Sequence, residues 1–95
     1  MIFEWNIAKS GQNLRKHGVS FKQAELAFED FYAIEEFDDK HSTGWESRYK
    51  MLATAETKIL VVVYTMRGEN FRIISAREAE KYERELYERQ RSEDV

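Results

Sequence analysis

Hydrophobic positions in this chain follow two spacings, one typical of strands and one typical of helices. Residues 58–65 are almost continuously apolar and β-branched, which predicts a deeply buried strand. Residues 71–74 have a similar composition and follow a polar turn at 66–70, so we expect them to pair antiparallel with that strand. Shorter stretches of the same character predict further strands at 2–5, 33–37 and 48–54.

The first helix is predicted between a capping residue and a glycine. Asn6 can accept a hydrogen bond from the first helical turn, and Gly18 suits the left-handed conformation that often follows a helix end, here at about His17. At about 100° per residue, one face of this helix carries Ile7, Gly11 and Leu14. The opposite side carries a polar group made of Lys9, Asn13 and Lys16.

Two capping boxes predict the remaining helices. In each box a serine is followed three positions later by a side chain that can bond back to it, and the pairs are Ser20 with Gln23 and Ser75 with Glu78. The first of these helices is expected to run to about Glu29 with Phe21, Ala24 and Phe28 facing inward. The second is expected to bury Ala79, Tyr82 and Leu86 and to fray after about Arg89.

The order of these elements is strand, two helices, four strands and a helix, which predicts an α+β fold. We expect a small antiparallel sheet with the helices on one face, in a single domain over residues 1–90 with a charged tail at 91–95. A sheet this small leaves one face incompletely covered. That face is where a ligand or a partner is expected to bind.

Charge is segregated along the chain rather than spread evenly. The 95 residues carry a formal net charge of −3, but residues 1–28 and 50–77 are basic, at +2 and +3, while residues 29–49 and 78–95 are acidic, at −5 and −3. Folding can join the two basic segments into a surface for a phosphate backbone. The alternative is a mixed surface that serves solubility. The chain has no cysteine, which excludes disulfides and thiolate chemistry, and its longest apolar run is too short to span a bilayer.

The segment from Arg72 to Glu78 contains the strongest candidate for an anion site. If a helix begins at Ser75, its free N–H groups and the positive end of its dipole lie beside Arg72 and Arg77. A cation in the first helical turn opposes that dipole, which favours an anion bound nearby. Alternatively, both arginines pair with surface carboxylates, which are abundant in this chain.

Six spaced sequence blocks resemble the BrnT toxins of bacterial type II toxin–antitoxin systems. In order from Phe3 to about Tyr87, they are Phe3-Glu4-Trp5-Asn6, Asn13-Leu14-x-Lys16-His17-Gly18-Val19-Ser20-Phe21, Ala27-Phe28-x-Asp30, His41-Ser42, Val62-Val63-Tyr64-Thr65-x-Arg67 and Arg72-Ile73-Ile74-Ser75-Ala76-Arg77. The chain departs from the family pattern at Asp30-Phe31, where the family usually has Asp-Pro. It also has Ala55-Glu56-Thr57 in place of a glycine-rich turn.

The resemblance implies a RelE-like ribonuclease fold, RNA cleavage that inhibits translation, and neutralisation by a BrnA antitoxin encoded beside the toxin. The expected assembly is a heterotetramer of two toxins and two antitoxins, which contacts DNA only through the antitoxin. The implied location is the cytoplasm, with no membrane partner and no cofactor.

RNA can be cleaved without a metal if its own 2′-hydroxyl attacks the adjacent phosphate, which requires a base, an acid and cations that stabilise the phosphorane. His17 is the candidate for proton transfer, although it also suits a cation at a helix C-terminus. Arg67 and Arg77 are the candidates for holding the phosphate oxygens, because an arginine fork can bind two of them. The catalytic residues are therefore predicted to be His17, Arg67 and Arg77.

Further cations and aromatic side chains are predicted to bind the RNA strand. These are Lys9, Asn13, Lys16, Arg48, Arg72, Tyr64 and Tyr82. The segment Asp38-Asp39-Lys40-His41 reads as a solvated loop, and no metal site is predicted in it or elsewhere. The alternative function is a non-catalytic module whose basic face only binds RNA or a protein.

Two substitutions test this interpretation, one through the charge of the site and one through the packing of the core. Arg77→Ala is expected to abolish growth inhibition and to leave the melting temperature nearly unchanged, because an exposed arginine contributes little stability. Leu86→Ala is expected to cost roughly 2–4 kcal/mol because it leaves a cavity in the core.

Overall fold

The structure, a computed structural model, describes residues 1–93. Residues 94–95, the end of the predicted charged tail, lie outside the described residues. The strands are β1 (Phe3–Glu4), β2 (Ile34–Phe37), β3 (Arg48–Ala55), β4 (Lys58–Arg67) and β5 (Asn70–Glu78). The α-helices are α1 (Ile7–His17), α2 (Phe21–Ala24) and α3 (Lys81–Glu93), with 3₁₀ helices at Glu25–Glu29 and Asp39–His41. The chain is therefore α+β.

The five strands form one mixed sheet in the order β1-β5-β4-β3-β2. Strands β2 to β5 are antiparallel neighbours, but β1 pairs parallel with β5, through Phe3 with Phe71 and Glu4 with Arg72. The prediction of a purely antiparallel sheet was therefore wrong. A strand of two residues carries too little pattern to reveal its neighbour or its direction.

The caps of α1 and α2 form as the sequence predicts. The Asn6 side chain accepts a hydrogen bond from the Lys9 N–H at 3.0 Å, and Gly18 adopts φ 70° while its N–H donates to the Leu14 carbonyl at 2.9 Å. Ser20 Oγ accepts from the Gln23 N–H at 2.9 Å, and the helix that it starts tightens into the first 3₁₀ helix after Ala24. Local side-chain chemistry thus sets the ends of these elements.

The face on which α1 packs differs from the apolar face read in the sequence. Ile7 and Leu14 are exposed, whereas Asn13 is the buried residue of this helix. The Asn13 side chain reaches β5, and the polar contacts that it makes there replace the apolar contacts that the spacing suggested.

Helices cover both faces of the sheet, which corrects the expectation that they share one. One core joins Val19, α2 and the first 3₁₀ helix to alternate residues of the strands, including Met51, Leu60 and Val62. A second, smaller core lies on the opposite face, where Leu52 and Val61 pack with Tyr87 of α3. Because side chains alternate across a strand, these two sets point to opposite sides.

Strand β5 continues to Glu78, so the helix predicted to begin at Ser75 begins instead at Lys81. Strand β4 offers backbone partners to this segment, with Val63 opposite Ser75 and Val61 opposite Arg77, after a register shift at Ile74. A neighbouring strand satisfies the backbone groups of these residues and overrides their helix propensity.

The later start changes which residues of α3 face the sheet. Glu83 and Tyr87 are buried, while Tyr82 and Leu86, which were predicted to be buried, are 65% and 44% exposed. Ala79 is buried as predicted, although it precedes the helix. The helix also continues past Arg89 to Glu93 rather than fraying there.

Candidate functional site

Helix α3 covers only part of its face of the sheet, and the uncovered part forms a cleft of about 470 Å³. We call this the sheet cleft. It is lined by Asp38, Lys40, His41, Arg48, Lys50, Val61, Val63, Ile74, Ser75 and Arg77. Four of these side chains are cationic and one is a carboxylate, and three of the cations also pair with glutamates: Arg48 with Glu46, Lys50 with Glu36 and Arg77 with Glu83. The lining is therefore richer in cations than the acidic composition of the whole chain suggests.

Arg77 lies at the edge of the sheet cleft that borders α3, where it forms a bidentate ion pair with the buried Glu83. Its two terminal nitrogens donate to the two Glu83 carboxylate oxygens at 2.8 and 3.0 Å. The hydrogen bonds from Arg77 hold the pKa of Glu83 below its usual value, and the same contact raises the pKa of Arg77. Glu83 also accepts from the Glu80 N–H at 2.8 Å, so the pair fixes the start of α3 against β5.

Arg72 also has a carboxylate partner, because it donates to Glu4 at 3.1 Å. The alternative interpretation of the sequence, in which both arginines pair with carboxylates, is therefore the arrangement observed. The proposed anion site at a helix N-terminus does not form, since the segment around Ser75 is a strand.

His41 enters the sheet cleft from the second 3₁₀ helix, and Asp38 holds it there. His41 Nδ1–H donates to Asp38 Oδ2 at 2.9 Å, and the Asp38 side chain also caps the short helix through the His41 N–H. A carboxylate accepts hydrogen bonds only, so the neutral ring carries its proton on Nδ1 and leaves the lone pair on Nε2 free.

The segment is solvated as the sequence interpretation expected, since 60% of the His41 side chain is exposed, but the pairing of His41 with Asp38 was not predicted. The available signal was the spacing Asp38-x-x-His41, which allows the carboxylate to cap the backbone and bind the ring at the same time.

His17 lies in a different depression, the groove between α1 and β5. This groove is lined by Lys9, Gln12, Asn13, Lys16, His17, Ile74 and Ser75. Ile74 and Ser75 also line the sheet cleft, so the two depressions meet where the register of β5 shifts. Lys9 and Lys16 are exposed, and neither forms an ion pair with any residue in the described part of the chain.

Asn13 belongs to this groove, but the polar atoms of its side chain are engaged in the fold. Its Oδ1 accepts from the Ala76 N–H at 3.1 Å, and its Nδ2 donates to the carbonyls of Ala76 at 2.7 Å and Val19 at 2.9 Å. The amide thus pairs with the edge of β5 as a neighbouring strand would. Both amide protons are committed to these contacts.

Arg67 lies at the far end of the ribbon formed by β4 and β5. Six residues separate it from Val61, which pairs with Arg77, so at about 3.3 Å per residue the two arginines are roughly 20 Å apart. Arg67 instead lines a depression with Lys9, Arg48 and Arg72. Arg67 and Arg77 therefore do not meet at one phosphate.

The remaining predicted residues divide by accessibility. Arg48 lines the sheet cleft, and its Nε donates to Glu46 at 2.7 Å. Tyr82 is exposed and lines a small depression beside α3 that shares Lys50 with the sheet cleft. Tyr64 is buried in the larger core, where its hydroxyl donates to Glu35. Burial is the main cause that raises the pKa of Tyr64, and the Glu35 carboxylate raises it further. A buried ring cannot stack on a base, so the structure does not support Tyr64 as a binding residue.

The described residues contain neither a cluster of metal ligands nor a membrane-spanning helix. Within residues 1–93, no group of three or more histidine, cysteine or carboxylate side chains lies close enough to hold a metal ion. Over the same residues, no helix is both long and apolar enough to cross a membrane.

The fold and the cleft define a small α+β protein with a cation-lined surface of the kind that binds a nucleic-acid backbone. A family model described as "Ribonuclease toxin, BrnT, of type II toxin-antitoxin system" matches residues 5–83, and the chain therefore belongs to the BrnT toxin family. The resemblance noted in the sequence is confirmed. No curated protein matches the chain. Membership of a type II system also implies an antitoxin partner.

Proposed function

We propose that this chain is a metal-independent endoribonuclease that cleaves RNA in the sheet cleft and thereby inhibits translation in the cytoplasm. We also propose the RelE-like fold assignment and a single domain over residues 1–90, both of which rest on the resemblance. The observation that carries the proposal is the His41–Asp38 pair, which faces the cations of the sheet cleft. This arrangement offers a base and charge stabilisation in one place.

The proposed reaction is an internal transesterification. His41 Nε2 takes the proton from the 2′-hydroxyl, whose oxygen attacks the adjacent phosphorus. The bond from phosphorus to the 5′-oxygen of the next nucleotide then breaks, and that oxygen receives a proton. The products are a 2′,3′-cyclic phosphate and a 5′-hydroxyl, so atoms and charge balance without a metal.

The other residues take parts that suit their positions. Arg48 and Arg77 stabilise the phosphorane from the walls of the sheet cleft, with Arg77 oriented by Glu83. His17 supplies the proton to the leaving oxygen from the other side of Ser75, where the groove meets the cleft.

The groove and the far depression are proposed to bind the flanking strand. Lys9 and Lys16 contact phosphates in the groove between α1 and β5. Arg67 does so about 20 Å from Arg77, and Arg72 does so between them. Tyr82 is placed to stack on a base beside the sheet cleft.

The test is cleavage of an end-labelled RNA by the purified protein in EDTA, with analysis of the product ends. We expect 2′,3′-cyclic phosphates and 5′-hydroxyls, and no cleavage of RNA that is fully 2′-O-methylated. His41→Gln is expected to slow cleavage by about 10²–10⁴-fold, the contribution of a positioned acid or base. His17→Gln removes the proposed proton donor to the leaving oxygen, so it should also slow cleavage.

Three results would argue against this proposal. Loss of cleavage in EDTA would exclude a metal-independent reaction, and products with 5′-phosphates would exclude internal attack. Binding of RNA without cleavage would favour the non-catalytic module. A wild-type rate in His41→Gln would remove the sheet cleft as the active site.

The proposed partner is a BrnA-type antitoxin in a complex of two toxins and two antitoxins. Exposed apolar side chains of α3, Tyr82 and Leu86, lie beside the sheet cleft and offer a surface for it. An acidic antitoxin segment over the basic surface would block RNA, and a stable complex should bury more than about 1,000 Å². Co-expression with the adjacent reading frame, copurification in high salt and a cleavage assay test this. A tightly bound partner that leaves cleavage intact would contradict steric blocking.

A further inference from the structure

Trp45 is the most exposed large hydrophobic side chain among residues 1–93, with 99% of its surface accessible. Tryptophan is usually well buried in folded proteins, because its ring offers the largest apolar surface of any side chain. Trp45 contributes no burial to either core. A ring presented in this way is available to a ligand.

The loop that carries Trp45 is tied down rather than loose. Thr43 Oγ1 accepts from the N–H groups of Trp45 at 3.2 Å and Glu46 at 3.1 Å, and the Thr43 N–H donates to the Glu46 carbonyl at 2.8 Å. Thr65 of β4 then anchors the end of the loop by donating to the Ser47 carbonyl at 2.6 Å. The loop is therefore preorganised, so less ordering entropy is lost when a ligand binds.

Trp45 stands over a depression of about 540 Å³ that also contains an available cation. Its lining is Trp45, Glu46, Ser47, Tyr49, Thr65, Met66 and Arg67. Glu46 is turned toward Arg48, and within residues 1–93 Arg67 forms no ion pair. An aromatic face beside a guanidinium that has no ion-pair partner fits a nucleotide, whose base stacks and whose phosphate pairs.

A nucleotide fits this depression better than an apolar protein segment does. Besides Trp45, Tyr49 and Met66, its walls are hydroxyl, carboxylate and guanidinium groups. An apolar segment would have to desolvate those groups without replacing their hydrogen bonds.

The depression lies on a continuous path from the sheet cleft. Arg48 and Ile74 line both the sheet cleft and the depression that contains Arg72, and Arg67 lines both that depression and the one under Trp45. A strand whose scissile phosphate lies near Arg77 can therefore extend along this face to Trp45.

We propose that Trp45 and Arg67 form a stacking subsite for one unpaired nucleotide of the RNA, several nucleotides away from the scissile phosphate. The inference rests on the proposed function, because RNA is the ligand. It assigns Arg67 to strand binding rather than to catalysis. It also predicts that the toxin prefers single-stranded over duplex RNA in this region, since paired bases are not free to stack.

The test measures binding of a fluorescein-labelled, 2′-O-methylated, single-stranded RNA of twelve nucleotides by anisotropy, so that cleavage does not interfere. Trp45→Ala should weaken binding by about 5- to 150-fold, which corresponds to the ~1–3 kcal/mol that a stacked base contributes. Trp45→Phe should restore most of the affinity. An oligonucleotide of the same length with abasic residues should bind wild type and Trp45→Ala equally.

Phe31→Ala is the matched control. Phe31 is 91% exposed, but it follows Asp30, which is bonded to Thr54, so it lies near the opposite end of β3 from Trp45. Phe31→Ala should bind RNA as wild type does, which separates stacking from a general loss of exposed aromatic surface.

Two outcomes overturn the inference while leaving the proposed function intact. One is that Trp45→Ala binds RNA as tightly as the wild-type protein does, while the wild-type protein still cleaves RNA. The other is unchanged RNA affinity in Trp45→Ala together with weaker antitoxin capture, which would make Trp45 a protein contact. A wild-type chain that neither binds nor cleaves RNA would overturn both proposals.

Discussion

Arg77→Ala is the substitution whose expected effect changes most once the structure is known. The sequence predicts an exposed arginine that can be removed without loss of stability. In the structure, removal of this side chain leaves the buried Glu83 carboxylate with the Glu80 N–H as the one hydrogen-bond donor that residues 1–93 still offer it. We therefore expect Arg77→Ala to destabilise the fold as well as to abolish cleavage.

The magnitude follows from the geometry of the pair. Breaking a fully buried ion pair costs about 3–5 kcal/mol. The Arg77 side chain is 35% exposed, so water can reach part of the vacated space and reduce the penalty. A hydrogen-bonded charged group in this intermediate setting contributes ~1.5–3 kcal/mol. For a domain of this size, that corresponds to a fall in melting temperature of roughly 6–24 °C.

The assay is thermal and urea unfolding of wild type, Arg77→Ala, Glu83→Gln and the double variant. If the unpaired carboxylate causes the loss, the double variant should be more stable than Arg77→Ala, because a glutamine leaves no buried charge. Cleavage should remain absent in the double variant, since the cation that faces RNA is still missing. A melting temperature in Arg77→Ala within about 2 °C of wild type would refute the reasoning. Recovery of cleavage in the double variant would show that Arg77 serves the fold alone.

Three further predictions concern the side chains of Leu86, Asn13 and Asp30. Leu86→Ala should lower the free energy of unfolding in urea by less than about 1.5 kcal/mol, because the side chain is 44% exposed. A loss above about 3 kcal/mol would contradict the exposed position of Leu86. Asn13→Ala should lower the free energy of unfolding by ~2–3 kcal/mol, because it leaves the backbone of Ala76 unpaired. Lys16→Ala, in contrast, should lower RNA affinity and leave the melting temperature unchanged. A change in RNA affinity without a change in stability for Asn13→Ala would reverse that assignment. Burial raises the pKa of Asp30, but hydrogen bonds from Thr54, Tyr87 and Tyr32 outweigh this effect and hold the pKa below its usual value. The folded state thus binds a proton at Asp30 more weakly than the unfolded state does. The stability that Asp30 contributes above about pH 3.8 is therefore lost as the pH falls through the pKa of the folded state. Asp30→Asn should reduce this acid sensitivity in unfolding measured from pH 7 to pH 3, and an unchanged slope would exclude Asp30 as its source.

Features decided within one helical turn were predictable from the sequence. Asn6 and Ser20 meet their capping partners three positions away, and Gly18 needs no distant contact to end α1. The buried strand at 58–65 was equally clear, because its apolar run is long and β-branched. In each case the signal and the structure that it specifies lie in the same short segment.

Features decided by distant partners were not predictable in this way. The capping box at Ser75 is chemically sound, but Val63, twelve residues earlier, offers a strand partner that the local pattern does not reveal. That one difference moved the start of α3, turned Glu83 toward Arg77 and exposed Tyr82. The position of the His41–Asp38 pair in the sheet cleft was not predictable for another reason. The spacing Asp38-x-x-His41 can indicate the pair itself, but it does not indicate that the pair faces a cleft.

The distribution of ion pairs explains how an acidic chain can carry a surface for RNA. Three arginines that line the sheet cleft or the neighbouring depression, Arg48, Arg72 and Arg77, are already bonded to Glu46, Glu4 and Glu83. Those carboxylates fix where the guanidinium groups lie, and each arginine keeps further donors for a phosphate. Within residues 1–93, Lys9, Lys16 and Arg67 form no such pairs, so under the proposed function they supply the attraction that brings the strand to the surface. Orientation and attraction are thus carried by different cations, which is why net charge alone gives no guide to what this surface binds.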